Sequence, residues 1–417
     1  MLLFMSMWIW QAAGQDVYPE GGYPDRELMK AYYPFVHLEN NRLVMPARTD
    51  RNFVRFMKRL EQGQGKLRIY HFGGSHIQGG IWPQDLRLAF RRYFDSLPGE
   101  RGWIFPFNLA HTNNPFDYRM ESGANWNAYR SSWQRAGRIP YTYGLSGYII
   151  TTADTVVDMR FRQRDSSHHF VITRLVILHN RGEVPYDLEL VSPPSLRTTI
   201  KDLDQGVTTL SWEQPVDSFH IRWTRKPDAG TDDSLHIYGF ILENDLPGIS
   251  YSGIGVNGAG TYTYLEAGYF ERDLALYPPD LAIISLGTND ANIPYKKFKP
   301  EVFRRRLEHF IEKIKKTNPQ AAIVLTVPND AYYRRRYPNA NVARVRRIIL
   351  ETGRRYGYPV WDLYAIMGGR GSSRTWMKNG LMKRDLIHFT REGYHLISDL
   401  LFQAILTSIP ENERKLP

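Results

Sequence analysis

From about residue 249 onward, short apolar segments alternate with amphipathic ones. Residues 280–286, 321–327 and 360–364 read as strands, and 300–316, 341–356 and 391–406 as helices. Few folds accept that rhythm with short connections. It calls for parallel strands covered by helices on both faces of one sheet. The same rhythm begins earlier. Phe53, Val54, Phe56, Met57 and Leu60 recur at helical spacing over 49–60, and Gly63 and Gly65 end that helix. Residues 66–72 then form an apolar strand that runs through Gly73-Gly74-Ser75-His76 into a helix over 83–94. Strand, tight glycine turn and helix in succession are the start of an α/β unit.

The stretch between about 125 and 245 has a different character. Short β-branched and aromatic runs at 156–161, 170–178, 186–191, 207–212, 219–224 and 235–242 are separated by Pro, Gly, Asn and Asp. Many short strands at regular spacing predict a β-sandwich. The expected organisation is therefore a discontinuous α/β domain over 15–110 and 246–417, interrupted by a β-rich domain over 111–245. A soft prior of about 150 residues per domain agrees with more than one unit in 417 residues. Residues 2–13 form an apolar run followed by Gly14-Gln15, with small residues at Ala12 and Gly14. The run is too short to span a bilayer, which takes about 20 residues, and 1–14 is expected to be a signal peptide. No later stretch is long and apolar enough for a membrane span.

Composition narrows the chemistry. The chain has no cysteine, which excludes disulfide frameworks, thiolate zinc sites, iron–sulfur clusters and thiol nucleophiles. A hydrophobic fraction of 42% with 20 Phe, 26 Tyr and 10 Trp excludes a disordered or collagenous chain. Fifty-four basic against 43 acidic side chains give a formal charge of +11. The excess gathers in Arg304-Arg305-Arg306, Lys315-Lys316, Arg334-Arg335-Arg336, Arg346-Arg347 and Arg354-Arg355. These read either as solvated helix faces or as attraction to an anionic polymer. No nucleic-acid fold is recognised. Trp82, Trp103, Trp126, Trp133, Tyr141 and Tyr143 flank or enter the β-rich stretch, as core or as stacking surfaces for sugar rings. His168-His169 show no metal-ligand spacing, and no metal or organic cofactor is implied.

Four places carry polar groups where a strand ends or a helix begins, which is where α/β sheets hold ligands. Ser75 follows two glycines at the end of the first strand. It is either an exposed nucleophile or a plain N-cap. Gly255-Val256-Asn257-Gly258-Ala259-Gly260 precedes a helix expected over 264–276, and it either offers a backbone N–H to an anion or merely connects. It lacks the Gly-Lys-Ser/Thr ending of a P-loop. Asn289, in Ser285-Leu286-Gly287-Thr288-Asn289-Asp290, offers a carboxamide donor or is part of a turn. Asp385-Leu386-Ile387-His388 places a carboxylate three residues before an imidazole, just ahead of the closing helix that Thr390 can cap. A carboxylate there can set the ring's tautomer while its other nitrogen takes a proton.

Taken in order, these four blocks resemble the SGNH (GDSL-type) hydrolase superfamily, whose blocks carry Ser, Gly, Asn and His in that sequence. The resemblance covers about residues 66–95 and 249–408. It implies a three-layer, flavodoxin-like parallel-sheet domain with Ser75 as nucleophile, His388 as general base and acid, and Asp385 orienting His388. The backbone of Ser75 and Gly258 and the side chain of Asn289 would form the oxyanion hole. The chain departs from the family at Gly74, where Gly-Asp-Ser is usual; that aspartate supports the nucleophile loop. About 183 residues separate Ser75 from Gly258. With Ser75-His76-Ile77-Gln78 and the β-rich insertion, this layout resembles peptidoglycan O-acetylesterases carrying a carbohydrate-binding-module-like sandwich. The resemblance implies a secreted or periplasmic serine esterase that removes O-acetyl groups from a polysaccharide of the bacterial cell envelope, peptidoglycan first. Acetylxylan, an exopolysaccharide or a lipase-like ester is the alternative substrate. From another class, a glycan-binding protein on a catalytically weak hydrolase scaffold is the rival. Oligomeric state is not legible in the sequence.

Overall fold

Residues Lys66–Gly73 form the strand around which the α/β domain is laid, and they are buried on both faces. In the computed structural model this strand has two parallel neighbours, Gly248–Gly255 on one side and Leu281–Ser285 on the other. The sheet continues from Leu281–Ser285 through Ala322–Val327 and Val360–Asp362, and closes on a short antiparallel edge, Leu43–Val44. The structure describes residues 26–63, 65–93, 100–133, 141–164, 170–230 and 233–409. The expected signal peptide and His168-His169 lie outside them.

Period-2 alternation sorts the sheet's side chains between two cores. Leu67, Ile69, Leu281, Ile283 and Val324 face the helices Arg51–Gln62, Ile81–Tyr93 and Arg391–Leu406, packing with Phe53, Leu60, Leu86, Phe90 and Leu400. Tyr70, Phe72, Ala282, Ile284 and Leu325 face the helices Pro300–Thr317 and Ala340–Tyr356 and pack with Leu307, Phe310, Val345 and Ile349. This is the expected three-layer arrangement of an SGNH-type hydrolase fold. The second core runs on without a break into the interior of the inserted sandwich, through Phe105, Ile149, Leu175 and Phe240.

The insertion consists of two antiparallel sheets. One has the order Leu196–Asp202, Val207–Val216, Ile172–His179, Leu235–Glu243, Tyr148–Thr152, Asn127–Arg130. The other has the order Tyr118–Glu121, Val156–Gln163, Ser218–Arg225, Tyr186–Ser192. Inward residues such as Met159, Phe161, Phe219, Ile221 and Trp223 fill the space between them.

Three expectations need correction. The insertion starts earlier than residue 111, because Gly102–Ile104 pairs with Leu235–Glu243 in the larger sandwich sheet. The single helix expected over 264–276 is two helices, Thr261–Leu265 and Phe270–Leu276. The break at Gly268 admits Thr142 from the insertion, whose Cγ2 would lie 2.7 Å from an added Cβ, and Tyr269 N–H donates to Tyr143 O at 3.1 Å. The strand expected over 360–364 stops at Asp362, whose carboxylate accepts from Ala365 N–H and starts the helix Leu363–Met367. Of the aromatic residues that flank or enter the insertion, Trp82, Trp103 and Trp126 are core, whereas Trp133 is 57% exposed.

Candidate active site

The three central strands end side by side, with Gly73 paired to Gly255 on one side and to Ser285 on the other. The chain after each strand therefore emerges at one edge of the sheet, where the strand order reverses. Ser75 opens the short helix Ser75–Gln78 two residues past Gly73. Gly258 and Asn289 follow three and four residues past the other two strand ends. The loop holding Asp385 and His388 comes from far along the chain, just before the closing helix Arg391–Leu406, which Thr390 caps by accepting from Gly393 N–H at 3.1 Å.

Ser75 Oγ lies 2.7 Å from His388 Nε2, and His388 Nδ1 lies 2.7 Å from Asp385 Oδ2. The other carboxylate oxygen of Asp385 accepts from Ile387 N–H and His388 N–H, both at 2.9 Å. Leu386 sits between them at φ +57°, the tight left-handed turn that lets one carboxylate reach both amides. Burial raises the Asp385 pKa, but hydrogen bonds from the His388 ring and the two backbone amides outweigh it and hold the carboxyl well below its usual range. An ionised carboxylate only accepts, so Nδ1 carries the ring proton and Nε2 offers its lone pair to the serine hydroxyl.

The backbone N–H groups of Ser75 and Gly258 donate to no acceptor among the described residues. Asn289 uses one amide hydrogen on Ala259 O at 2.9 Å and keeps the other. Its Nδ2 would stand 3.1 Å from a Cβ added at Gly74, which places the amide against the Gly73–Ser75 turn. The Gly258 loop is held from both ends. Asn257 N–H donates to Gln78 Oε1 at 2.7 Å, and the Asp290 carboxylate accepts from Thr261 N–H at 3.1 Å and Thr261 Oγ1 at 2.8 Å. Burial raises the Asp290 pKa.

Sequence reasoning missed these supporting residues. With glycine at position 74, the Gly73–Ser75 turn is tied by Tyr264, whose hydroxyl lies 2.7 Å from Gly73 O and from Ile254 O and accepts from Gly73 N–H at 3.3 Å. Nothing local in the sequence marks Tyr264. Asp290, in contrast, adjoins Asn289 in the same strand-end block. The insertion also reaches the site. Ser132 Oγ donates to Asn257 O at 2.7 Å, Tyr148 OH donates to Gln78 Oε1 at 3.0 Å, and the neighbouring Trp133 stays exposed with the Arg130 guanidinium 4.2 Å from its ring centre. His76 packs its ring 5.2 Å from that of His388 and pairs Nδ1 with Tyr394 OH at 2.9 Å. Burial, aided by His388, lowers its pKa to about 3, so it stays neutral.

The fold is that of the SGNH-type hydrolases. A model of the GDSL-like lipase/acylhydrolase family matches residues 217–396, under half of the chain. That span includes Gly258, Asn289, Asp385 and His388 and leaves out Ser75, which the insertion separates from them. Among solved structures, one described as a peptidoglycan O-acetylesterase in action is similar at TM-score 0.69 and 19% identity, covering 85% of this chain and 95% of that one. A lipase/acylhydrolase from Enterococcus faecalis is similar at TM-score 0.32 and 23% identity, over 41% of this chain and 80% of that one. An acetyl xylan esterase is similar at TM-score 0.30 and 19% identity, over 37% and 79%. No curated protein sequence matches the chain.

Proposed function

We propose that this protein is a serine esterase of the cell envelope that removes O-acetyl groups from a polysaccharide, peptidoglycan first. The observation that carries the chemistry is the unbroken chain from Ser75 Oγ to His388 Nε2 and from His388 Nδ1 to Asp385, each link 2.7 Å. In the proposed reaction, His388 takes the hydroxyl proton as Ser75 Oγ attacks the acetyl carbonyl. The oxyanion settles among the N–H groups of Ser75 and Gly258 and the free amide hydrogen of Asn289, each donor worth about 3 kcal/mol of barrier. His388 returns the proton to the departing sugar hydroxyl. Water, activated in turn by His388, then releases acetate from the acyl-serine.

The substrate reading rests on layout: a sandwich inserted after the nucleophile block brings Ser132 and the exposed Trp133 to the same edge. The overall likeness to a structure described as a peptidoglycan O-acetylesterase has that same breadth. Export rests on the apolar run at 2–13. The test is hydrolysis of p-nitrophenyl acetate by the wild type and Ser75→Ala, followed by acetate release from O-acetylated peptidoglycan and acetylated xylan. Ser75→Ala is expected to lose about 10⁴-fold or more in kcat. Equal rates for both proteins would sink the serine mechanism. Faster release from xylan would replace the proposed substrate.

A further inference from the structure

Beside the Asp385–His388 loop stands a small hairpin, Tyr332–Tyr333 paired with Tyr337–Pro338, whose tip is Arg334-Arg335-Arg336. All three arginines are exposed. Arg334 and Arg335 sit at φ +54° and +58°, the left-handed region where glycine or asparagine is the inexpensive choice. Strained tips that keep long side chains point to a use for those side chains. Ion pairing separates this hairpin from the other basic runs. Arg304 pairs with Glu351, Arg346 with Asp362 and Arg355 with Glu308. The hairpin arginines form no ion pair among the described residues; Arg334 donates from Nε to Tyr333 OH at 3.2 Å and lies 5.4 Å from the centre of that ring.

The hairpin is fastened to the catalytic edge. Tyr332 N–H donates to Leu386 O at 3.1 Å, and Asn329, just before it, donates from Nδ2 to Ile387 O at 3.0 Å. Lys383 and Arg384, exposed on the His388 loop itself, also form no ion pair among the described residues. Arg374 lies over the Tyr332 ring at 5.3 Å. A group of cations without ion pairs thus stands on the loop that carries His388 and on the hairpin fastened to it. Guanidinium forks match carboxylates, and several together favour a polymer carrying many of them.

We propose that the Arg334–Arg336 hairpin, with Lys383 and Arg384, is a carboxylate-binding rim that selects acidic acetylated glycans. This rests on the polysaccharide-esterase reading above and names the charge of its substrate. The test compares kcat/KM for acetate release from acetylated polygalacturonate, O-acetylated peptidoglycan and neutral acetylated xylan. Three proteins are measured: wild type, the triple variant Arg334→Asn, Arg335→Asn, Arg336→Gln, and a control, Lys58→Gln, Lys316→Gln, Arg354→Gln. Asparagine tolerates the left-handed turn, so the hairpin keeps its shape. The control removes equal charge from exposed positions on helices that lead into the strands' opposite ends.

The acidic-to-neutral preference is expected to fall about tenfold in the hairpin variant, mainly through KM, and to hold in the control. In the wild type it is expected to shrink as salt rises toward about 0.5 M. A fall on peptidoglycan alone assigns the rim to peptide carboxylates, and a fall on both acidic polymers assigns it to carboxylates generally. An unchanged preference in the hairpin variant, or an equal fall in the control, overturns the proposal. If the wild type releases no acetate at all, the esterase reading fails separately. Retardation of the Ser75→Ala protein in gels cast with polygalacturonate then decides the rim: lost retardation on adding the hairpin substitutions supports it, and unchanged retardation overturns it.

Discussion

Asp385 spends both carboxylate oxygens on the ring and backbone of the His388 loop, so its charge and its geometry act together. In Asp385→Asn the group facing Nδ1 is an amide that can donate, and the tautomer with Nε2 free is no longer enforced. By analogy with the triads of serine hydrolases, kcat for p-nitrophenyl acetate is expected to drop about 10⁴-fold while thermal unfolding still shows a folded protein. A second residue, His71, sits under the site with Nδ1 2.9 Å from Tyr251 OH and Nε2 2.7 Å from Ser285 Oγ. Burial lowers its pKa from 6.5 to about 3. Above pH 6.5 the folded and unfolded chains both hold it neutral. Below that, the unfolded chain takes a proton that the folded one refuses, so stability falls with falling pH until about pH 3. Unfolding free energies from urea titrations at pH 7 and pH 5 are expected to differ by about 1.4 kcal/mol per pH unit below 6.5 on account of this residue. His71→Gln should remove that share, and an unchanged difference would refute it. Ser75, His388, Asp385 and Asn289 were legible because each is a polar residue at a block end. His71 was not, because nothing in its strand sequence shows that it meets two hydroxyls.

At the scale of elements, the turn from Gly73 to Ser75 depends on close approach. A Cβ at Gly255 would lie 2.1 Å from Gln78 N, so only glycine lets the helix Ser75–Gln78 lie against the neighbouring strand. That explains why Gly248–Gly255 was unreadable as a strand: Gly253 and Gly255 lower strand propensity, and the helix packing that requires them is a tertiary fact. Tyr264 joins this strand to the Gly73–Ser75 turn. Tyr264→Phe leaves the Gly73 and Ile254 carbonyls short of a buried donor, at a cost of about 1–3 kcal/mol. Kinetics are expected to show kcat falling about tenfold with little change in KM, the mark of a positioning residue; a change in KM alone would contradict that role. The edge strand Leu196–Asp202 escaped notice for another reason, since its residues are nearly all exposed and show no alternation.

Across the whole molecule, the insertion and the hydrolase core fold as neighbours with one continuous apolar interior. Their junction also holds a buried charge cluster. Asp117 Oδ2 accepts from Arg87 at 3.0 Å and from Arg101 at 2.7 Å, with all three side chains at most 6% exposed. Arg87 belongs to the helix Ile81–Tyr93, and Asp117 leads into the sandwich strand Tyr118–Glu121. Burial raises the Asp117 pKa, but the two guanidiniums outweigh it and keep the carboxylate ionised. Asp117→Ala leaves two buried cations without a counter-charge and is expected to destabilise the chain by about 3–5 kcal/mol. Urea unfolding would show this, and a loss below about 1 kcal/mol would mean that the cluster is solvated after all.

The alternation of strand and helix, the interruption by β-rich sequence and the order of the four polar blocks were decided locally, because side-chain periodicity and turn chemistry act over a few residues. Which strands became neighbours, which glycines had to be glycines and which hydroxyls hold the Gly73–Ser75 turn were decided only when distant segments packed. So was the fastening of the arginine-tipped hairpin to the His388 loop, because proximity between segments distant in the chain comes from burying a shared core and from nothing in the local order of amino acids.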